Sequence, residues 1–382
     1  MRILHVGKYL PPVAGGMETF LADLASAQAD IGHTVHCLVH RRRETPLLAP
    51  AGTTASASLT LGHLLYAPIA PGFPLHLERQ IRATRPDVLH LHLPNTSAFF
   101  CLASPAARAL PWVIHWHSDV ETLPRQRLLR AAYRLYRHLE QAMLRRARLI
   151  IATSPDYLAA SKPLLAHQQR CHVVPLGIAT ARLGNKSAPP KHWPEQHLRL
   201  LALGRLSHYK GFEHLIEAVA NSTRVSLTLV GDGEQRETLN RQIERLGLAA
   251  RVQLLGNCDQ PQVNALLESC DVLCLPSIAR SEAFGMTLLE AMAMGKPVLA
   301  SDLAGSGMPW VVRQAGHGLL AQPGDAVSLA ACILQLQDGS LRQSLGKNGA
   351  LALAKQFRIE AVAEQIDPLY HRLVPTDRLQ RT

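Results

Sequence analysis

The chain has 382 residues, room for two ordinary domains. At 47% hydrophobic, 18% charged and 5% aromatic it is built to pack, which excludes a disordered chain. Forty Lys plus Arg against 29 Asp plus Glu leave a net charge of +11, favouring an anionic partner without choosing among nucleotide, nucleic acid and acidic lipid. The seven cysteines form no CxxC pair and no dense framework, so a disulfide scaffold is excluded and a reducing compartment fits. Lys8, two prolines and Gly15-Gly16 interrupt the first apolar run before it resembles a signal peptide. The longest apolar runs fall short of a membrane span, so the cytoplasm is the expected compartment, with a membrane-surface position left open.

Strands are predicted at Ile3–Val6, Thr34–Val39, Val88–Leu91, Trp112–His115 and Leu149–Ala152, and a helix over Met17–Asp30. Residues 44–76, rich in Ala, Thr, Ser, Gly and Pro, read as loop and short helix. Prolines and glycines between about 175 and 196 mark a linker. Beyond it, strands are predicted at Arg199–Leu203, Ser226–Val230, Val252–Leu255, Val272–Leu275 and Val298–Ala300. Helices are expected over 211–220, 234–246, 261–268, 285–294 and 325–336. This alternation predicts two α/β units with parallel sheets and a cleft between them.

The informative residues follow predicted strands, where open parallel sheets bind ligands. Gly15-Gly16 precedes a helix and suits close approach of an anion, though glycines of this kind also serve purely structural turns; Glu18 sits in that helix's first turn. Gly204-Arg205 and Lys210-Gly211 place a donor fork and a point charge where a diphosphate would be neutralised; a solvated basic loop is the plainer reading. Within PSIARSEAFGMTLLEAMAMGKPV, Ser277, Glu282, Phe284, Gly285, Met286, Thr287 and Glu290 combine two carboxylates with a glycine-led helix start. The carboxylates suit sugar and ribose hydroxyls, and the backbone N–H groups suit phosphate oxygens.

His117 and Asp119, closing a first-domain strand, suit orientation of a sugar or polarisation of a reacting hydroxyl; a core role for the histidines fits equally. His90 and His92 share a strand face, but no third ligand lies at useful spacing, and HExxH, the Walker lysine motif and DxD are all missing, so no metal is expected. Arg127, Arg130, Arg134 and Arg137 belong to a basic amphipathic run with two readings: a helix resting on anionic lipid, or one packed on the sheet with a wet basic face. Aromatic residues are too few for a nucleic-acid platform.

In their order and spacing, Gly15-Gly16, His117, Gly204-Arg205, Lys210-Gly211, Gly231-Asp232-Gly233 and the stretch from Glu282 to Glu290 resemble the retaining glycosyltransferases of family 4, over nearly the whole chain. The resemblance implies a GT-B fold: an acceptor-binding Rossmann-like domain over 1–178, a linker over 179–196, and a donor-binding Rossmann-like domain over 197–354. The segment 355–382 would form a helix and tail crossing back to the first domain. It further implies that Arg205 and Lys210 hold the donor diphosphate, Glu290 the ribose and Glu282 the sugar hydroxyls. Gly231, Ser277 and the main chain of Phe284 to Thr287 would complete the donor site, with Gly16 near the phosphate or acceptor. Gly15, Glu18, His117 and Asp119 would face the acceptor. The substrate would be a nucleotide-diphosphate sugar, GDP-mannose or a UDP-sugar, with no tightly bound cofactor.

One departure is SDLAGSGMPWVV, where many relatives carry GG-P-E: Gly305, Ser306 and Gly307 read as a flexible loop, and Trp310 replaces the frequent acid. That version resembles bacterial surface-polysaccharide and lipopolysaccharide hexosyltransferases acting on lipid-linked acceptors at the inner face of the cytoplasmic membrane. The alternatives are a sucrose- or glycogen-type synthase, a sugar-nucleotide epimerase, or a non-catalytic nucleotide-sugar or membrane-surface binding protein.

Overall fold

The computed structural model describes residues 1–64, 67–120, 127–184 and 193–374. The middle of the expected linker, 185–192, and the end of the expected tail, 375–382, lie outside the described residues. By its contacts the chain divides into two units: Met1–Gly177 with Ile359–Thr382, and Ile178–Arg358.

In the first unit the strands are β1 (Arg2–Val6), β2 (Thr34–Arg41), β3 (Thr54–Leu59), β4 (Gly62–Leu64), β5 (Ala67–Ile69), β6 (Val88–Leu93), β7 (Trp112–Trp116), β8 (Leu149–Ala152) and β9 (Cys171–Val173). Seven of them form one sheet in the order β3-β2-β1-β6-β7-β8-β9, every pairing parallel. Strands β4 and β5 make a separate antiparallel pair. A parallel strand covered on both faces must be buried throughout, and β6, VLHLHL, is buried at all six positions. Its two histidines are therefore interior groups, although the alternation reads as half-exposed.

Residues 44–76 are a correction to the expected loop. Thr54–Leu59 pairs with β2 at the sheet edge, with Ser58 1% exposed. TASASL has small polar side chains that fit an edge strand but leave no apolar signature. The short β9, CHV, escaped notice because three residues are too few to show a pattern.

The second unit has β10 (Leu198–Leu203), β11 (Val225–Val230), β12 (Val252–Gly256), β13 (Val272–Leu275), β14 (Val298–Ser301) and β15 (Gly318–Ala321). Their order is β12-β11-β10-β13-β14-β15, again parallel throughout. Its core runs from Leu200 and Leu227 through Phe212, Leu215 and Val219 to Ile333 and Leu336. Each sheet reverses direction at one place, at β1/β6 and at β10/β13, and the crevice beyond those strand ends is where such sheets bind ligands.

All five helices expected in this unit are present within two residues of their predicted ends. Two more were not foreseen, Gly307–Ala315 and Gly339–Ala352, both opened by glycine. The first corrects the flexible-loop reading at Gly307, where the helix begins, while Gly305 stays in a turn and Ser306 Oγ accepts from Met308 N and caps the helix. Ser306 Oγ also donates to Glu282 O at 2.5 Å, and Gly307 N donates to Ala283 O at 2.7 Å, so this segment buttresses the Glu282 loop.

The last helix, Ile359–His371, belongs to the first unit and packs on α1 (Gly16–Asp30). Gln28 Nε2 donates to Tyr370 Oη at 2.9 Å, and His33 Nε2 meets Asp367 Oδ1 at 2.8 Å.

Candidate active site

The strands flanking the second unit's switch point deliver the expected cationic and acidic residues together. Beyond β10, Gly204 and Arg205 lead to a short turn, His208–Lys210, and then to the helix Phe212–Ala220. Beyond β13, Ser277 begins the loop that carries Glu282. The two loops are tied by Ile278 N donating to Tyr209 O at 2.8 Å.

Lys210 Nζ lies 2.5 Å from Glu282 Oε2, and both side chains are nearly enclosed, at 10% and 13% exposed. Ser277 Oγ donates to the same carboxylate at 3.4 Å. Burial works against the lysine's charge, yet the Glu282 carboxylate outweighs it and holds the Lys210 pKa above its ordinary value. Lys210 is therefore a fixed ammonium, suited to a phosphate oxygen and unsuited to proton abstraction. Tyr209 adds a ring face 5.5 Å from Nζ.

Arg205 stays about half exposed and reaches Glu234 at 3.2 Å. Glu290 lies within the helix Met286–Ala293, whose start at Gly285 carries no side-chain cap. Its Oε1 lies 3.2 Å from Arg182 Nη2. Arg182 was missed from sequence, since it stands 108 positions away without a motif of its own. Phe284 is buried, 6.4 Å from Phe357, and the partly buried Trp310 lies 6.3 Å from Phe357. Met286 and Thr287 are half-buried at the first turn.

Gly231, ending β11, has φ +132°, and a Cβ there would fall 2.0 Å from Gly204 O. The site loop can pass only because that position is glycine. Gly231→Ala should cost about 2–5 kcal/mol, overpacking adding to backbone strain. Chemical denaturation reads this directly, as a lowered midpoint at unchanged slope.

In the first unit, Gly15 and Gly16 open α1, and a Cβ on Gly15 would lie 2.1 Å from the Glu18 carboxylate. Glu18 thus folds back over the helix start. Burial raises its pKa, opposed by its own N–H, Lys8 and Arg42. Asp119 Oδ1 accepts from Trp116 Nε1 at 2.9 Å and Ser161 Oγ at 2.6 Å, while its N–H donates to Tyr157 Oη at 2.5 Å. Those bonds anchor the segment behind His117.

His117 is 8% exposed and belongs to a stack with His5, His90, His92 and His115, each wholly buried. The stack corrects the view that His90 and His92 lack neighbours at useful spacing. Register pairs His5 with His90 and His92 with His115 across adjacent strands. Two triads, His5/His90/His92 and His92/His115/His117, have ring nitrogens within 4.8 Å of one another, near enough to share an ion. Partners contributed by other strands leave no trace in local spacing.

Burial pushes the His117 pKa down to about 3 and that of His5 to about 4, and holds His90, His92 and His115 well below the ordinary value. These rings stay neutral in the fold but protonate in the unfolded chain below pH ~6.5. Stability should therefore be complete above that pH. As pH falls toward the folded-state values it should decline, by about 1.4 kcal/mol per pH unit for each such ring. Tm measured from pH 7.5 to pH 5 checks this; a flat profile would contradict it.

On the basic helix Arg127–Arg146, Arg134 is exposed and Arg137 lies 3.8 Å from Glu140. The side chains of Arg127 and Arg130 lie outside the described residues. Among the described residues no helix is long and apolar enough to cross a membrane.

The chain folds as two parallel Rossmann-like units, one with a lysine–carboxylate pair at its switch point, and comparison with known proteins identifies the enzyme class. A family profile described as Glycosyl transferases group 1 matches residues 185–352, and one described as Glycosyltransferase Family 4 matches residues 14–182. The chain belongs to the family 4 glycosyltransferases of GT-B fold, enzymes that use nucleotide sugars.

It is 26% identical to O-antigen chain mannosyltransferase C of Escherichia coli, over 98% of this chain and 99% of that one. It is 29% identical to D-rhamnosyltransferase WbpZ of Pseudomonas aeruginosa, over 94% and 92%. A solved structure of sucrose-phosphate synthase from Thermosynechococcus elongatus shares the fold, with a TM-score of 0.77 and 23% identity over 97% of this chain and 98% of that one.

Proposed function

We propose that the protein is a retaining hexosyltransferase that moves a sugar from GDP-mannose or a UDP-sugar to a hydroxyl of a lipid-linked glycan in bacterial polysaccharide or lipopolysaccharide assembly. The observation that carries the donor chemistry is the enclosed Lys210–Glu282 pair. In this reading the ammonium meets the diphosphate, Arg205 supplies a second cation, Glu282 accepts from sugar hydroxyls and Glu290 from the ribose. Backbone N–H groups at Gly285, Met286 and Thr287 face phosphate oxygens. Gly16 stands by the donor phosphate, while Gly15, Glu18, His117 and Asp119 belong to the acceptor side, in a first unit that binds the acceptor while the second binds the donor.

Transfer with retention proceeds by substitution on one face of the sugar. The bond from the anomeric carbon to the leaving phosphate oxygen breaks, and the acceptor oxygen forms its bond on the same side. The acceptor's proton passes to the departing diphosphate. Lys210 and Arg205 stabilise the negative charge that gathers there, which is where preorganised charge lowers a barrier most.

The polysaccharide-assembly reading is supported by the two relatives, an O-antigen chain mannosyltransferase and a D-rhamnosyltransferase, each matched over nearly its whole length. The exposed Arg134 and Leu135, the latter 66% exposed, suit a peripheral position at the cytoplasmic face of an anionic membrane. Sucrose-phosphate-type synthesis is the second reading, favoured by the shared fold alone.

Radiolabelled GDP-mannose and UDP-glucose, offered with lipid-linked oligosaccharide or with fructose 6-phosphate, separate the two readings. The expected product is a lengthened lipid-linked glycan whose new linkage keeps the donor's anomeric configuration by NMR. Inversion, or transfer to the soluble sugar phosphate alone, would sink this proposal.

A further inference from the structure

Five stacked imidazoles form two hydrogen-bond chains that meet at one amide, Gln28 in α1. Centroids of adjacent rings lie 4.6–5.6 Å apart, as for His115 with His117 and His92 with His115. A neutral imidazole carries one N–H and one lone pair, so a fixed role at one ring nitrogen dictates the other.

Gln28 Oε1 is a carbonyl oxygen and only accepts; His5 Nε2 lies 2.7 Å from it and therefore carries hydrogen. His5 Nδ1 is then a lone pair, filled by His92 Nε2–H at 3.0 Å. By the same logic His92 Nδ1 accepts from His117 Nε2–H at 2.9 Å. The second chain leaves the other end of the amide. Gln28 Nε2 donates to Tyr370 Oη at 2.9 Å, Tyr370 donates to His90 Nδ1, and His90 Nε2–H reaches His115 Nδ1 at 3.3 Å. His115 Nε2 ends that chain without a partner among the described residues. In this orientation both ends of the Gln28 amide are committed, and Gln28 itself is wholly buried; turning the amide over would run both chains in reverse and leave His117 protonated at Nδ1 instead.

We propose that Gln28, acting through His5 and His92, fixes His117 as its Nε2–H tautomer, so that the Nδ1 lone pair is offered to a hydroxyl of the sugar substrate. His117 Nδ1 makes no hydrogen bond among the described residues, and His117 alone of the five rings keeps any exposure. Phe20 packs edge-on against His115 and His117, with centroids at 4.8 and 5.6 Å, and holds the rings in place. Gln28, His5 and His92 are positioning residues: they decide which atom of His117 meets substrate. An ion in either triad would need lone pairs already used within the chain, above all at His92.

This inference rests on the proposed place of His117 on the acceptor side, and its test separates the two. Nitrogen-15 NMR of histidine-labelled protein reads the tautomer whether or not sugar is transferred. The expected wild-type result is a neutral His117 protonated at Nε2 and bare at Nδ1. In Gln28→Leu the first chain loses its terminal acceptor, so His117 should shift to a mixture of tautomers and kcat should fall about tenfold. A wild-type His117 protonated at Nδ1, an imidazolium, or one equivalent of tightly held divalent metal in the purified protein would overturn the proposal. So would an unchanged tautomer in folded Gln28→Leu. If that variant does not fold, the wild-type tautomer decides. A correct tautomer shift with unaltered kcat would keep the relay but overturn its delivery to substrate, without touching the transferase assay.

Discussion

Lys210→Ala is expected to lower kcat/KM for sugar transfer about 100- to 1,000-fold, the range for removing one preorganised donor from a developing oxyanion. Most of the loss should fall in kcat, because charge on the leaving diphosphate is greatest in the transition state. The variant should remain folded but less stable. Among the described residues Glu282, 13% exposed, would keep only Ser277 Oγ at 3.4 Å as a side-chain partner, at a cost of about 1–3 kcal/mol. At neutral and alkaline pH below ~10.4, where the unfolded lysine still holds its proton and the carboxylate its charge, the pair stabilises the wild-type fold. That contribution fades as pH rises through the raised folded-state pKa. Single-turnover rates and a denaturation midpoint, measured on one preparation, check both effects. Near-normal turnover would remove Lys210 from the chemistry.

Glu282→Gln tests the other half of the pair with almost no change in shape. On the proposed reading two losses combine: a carboxylate that would accept from sugar hydroxyls, and the charge that keeps Lys210 protonated. Hydrogen bonds to a charged acceptor contribute about 1.5–3 kcal/mol, so donor affinity should fall about 10- to 100-fold. The second loss changes the pH profile. With the carboxylate gone, burial dominates and drives the Lys210 pKa below its ordinary value. The wild-type rate should hold level on the alkaline side of neutrality, whereas the variant's rate should fall as Lys210 loses its proton. Parallel profiles for the two proteins would show that Lys210 does not depend on Glu282 for its charge.

What the sequence disclosed and what it hid follow one physical division. Grouping within each loop was legible: Gly204-Arg205 with Lys210-Gly211, and Glu282 with Glu290, each lie close along the chain just past strands with strong apolar signatures, whereas folding alone joins Lys210 to Glu282 across 72 positions. Strands such as Leu149–Ala152 and Val272–Leu275 were placed to the residue, because a short apolar run between helical patterns admits few other readings. Partners joined by tertiary folding were not legible. Arg182 reaches Glu290 across 108 positions, and Tyr370 reaches Gln28 across 342. His5, His92 and His115 sit on three strands with nothing local to connect them. The edge strand Thr54–Leu59 and the helix Gly307–Ala315 failed differently: their small residues and glycine punctuation mimic loops, and pairing with β2 and the Ser306 cap decide the matter.

The central claim is that the second unit holds a nucleotide diphosphate through Lys210 and Glu290. Calorimetric titration of GDP, UDP and ADP in EDTA, against wild type, Lys210→Ala and Glu290→Ala, tests it most directly. One nucleotide should bind selectively to wild type, and each substitution should weaken it about 10- to 100-fold. No binding by folded wild-type protein, or equal affinity in all three proteins, would contradict the account.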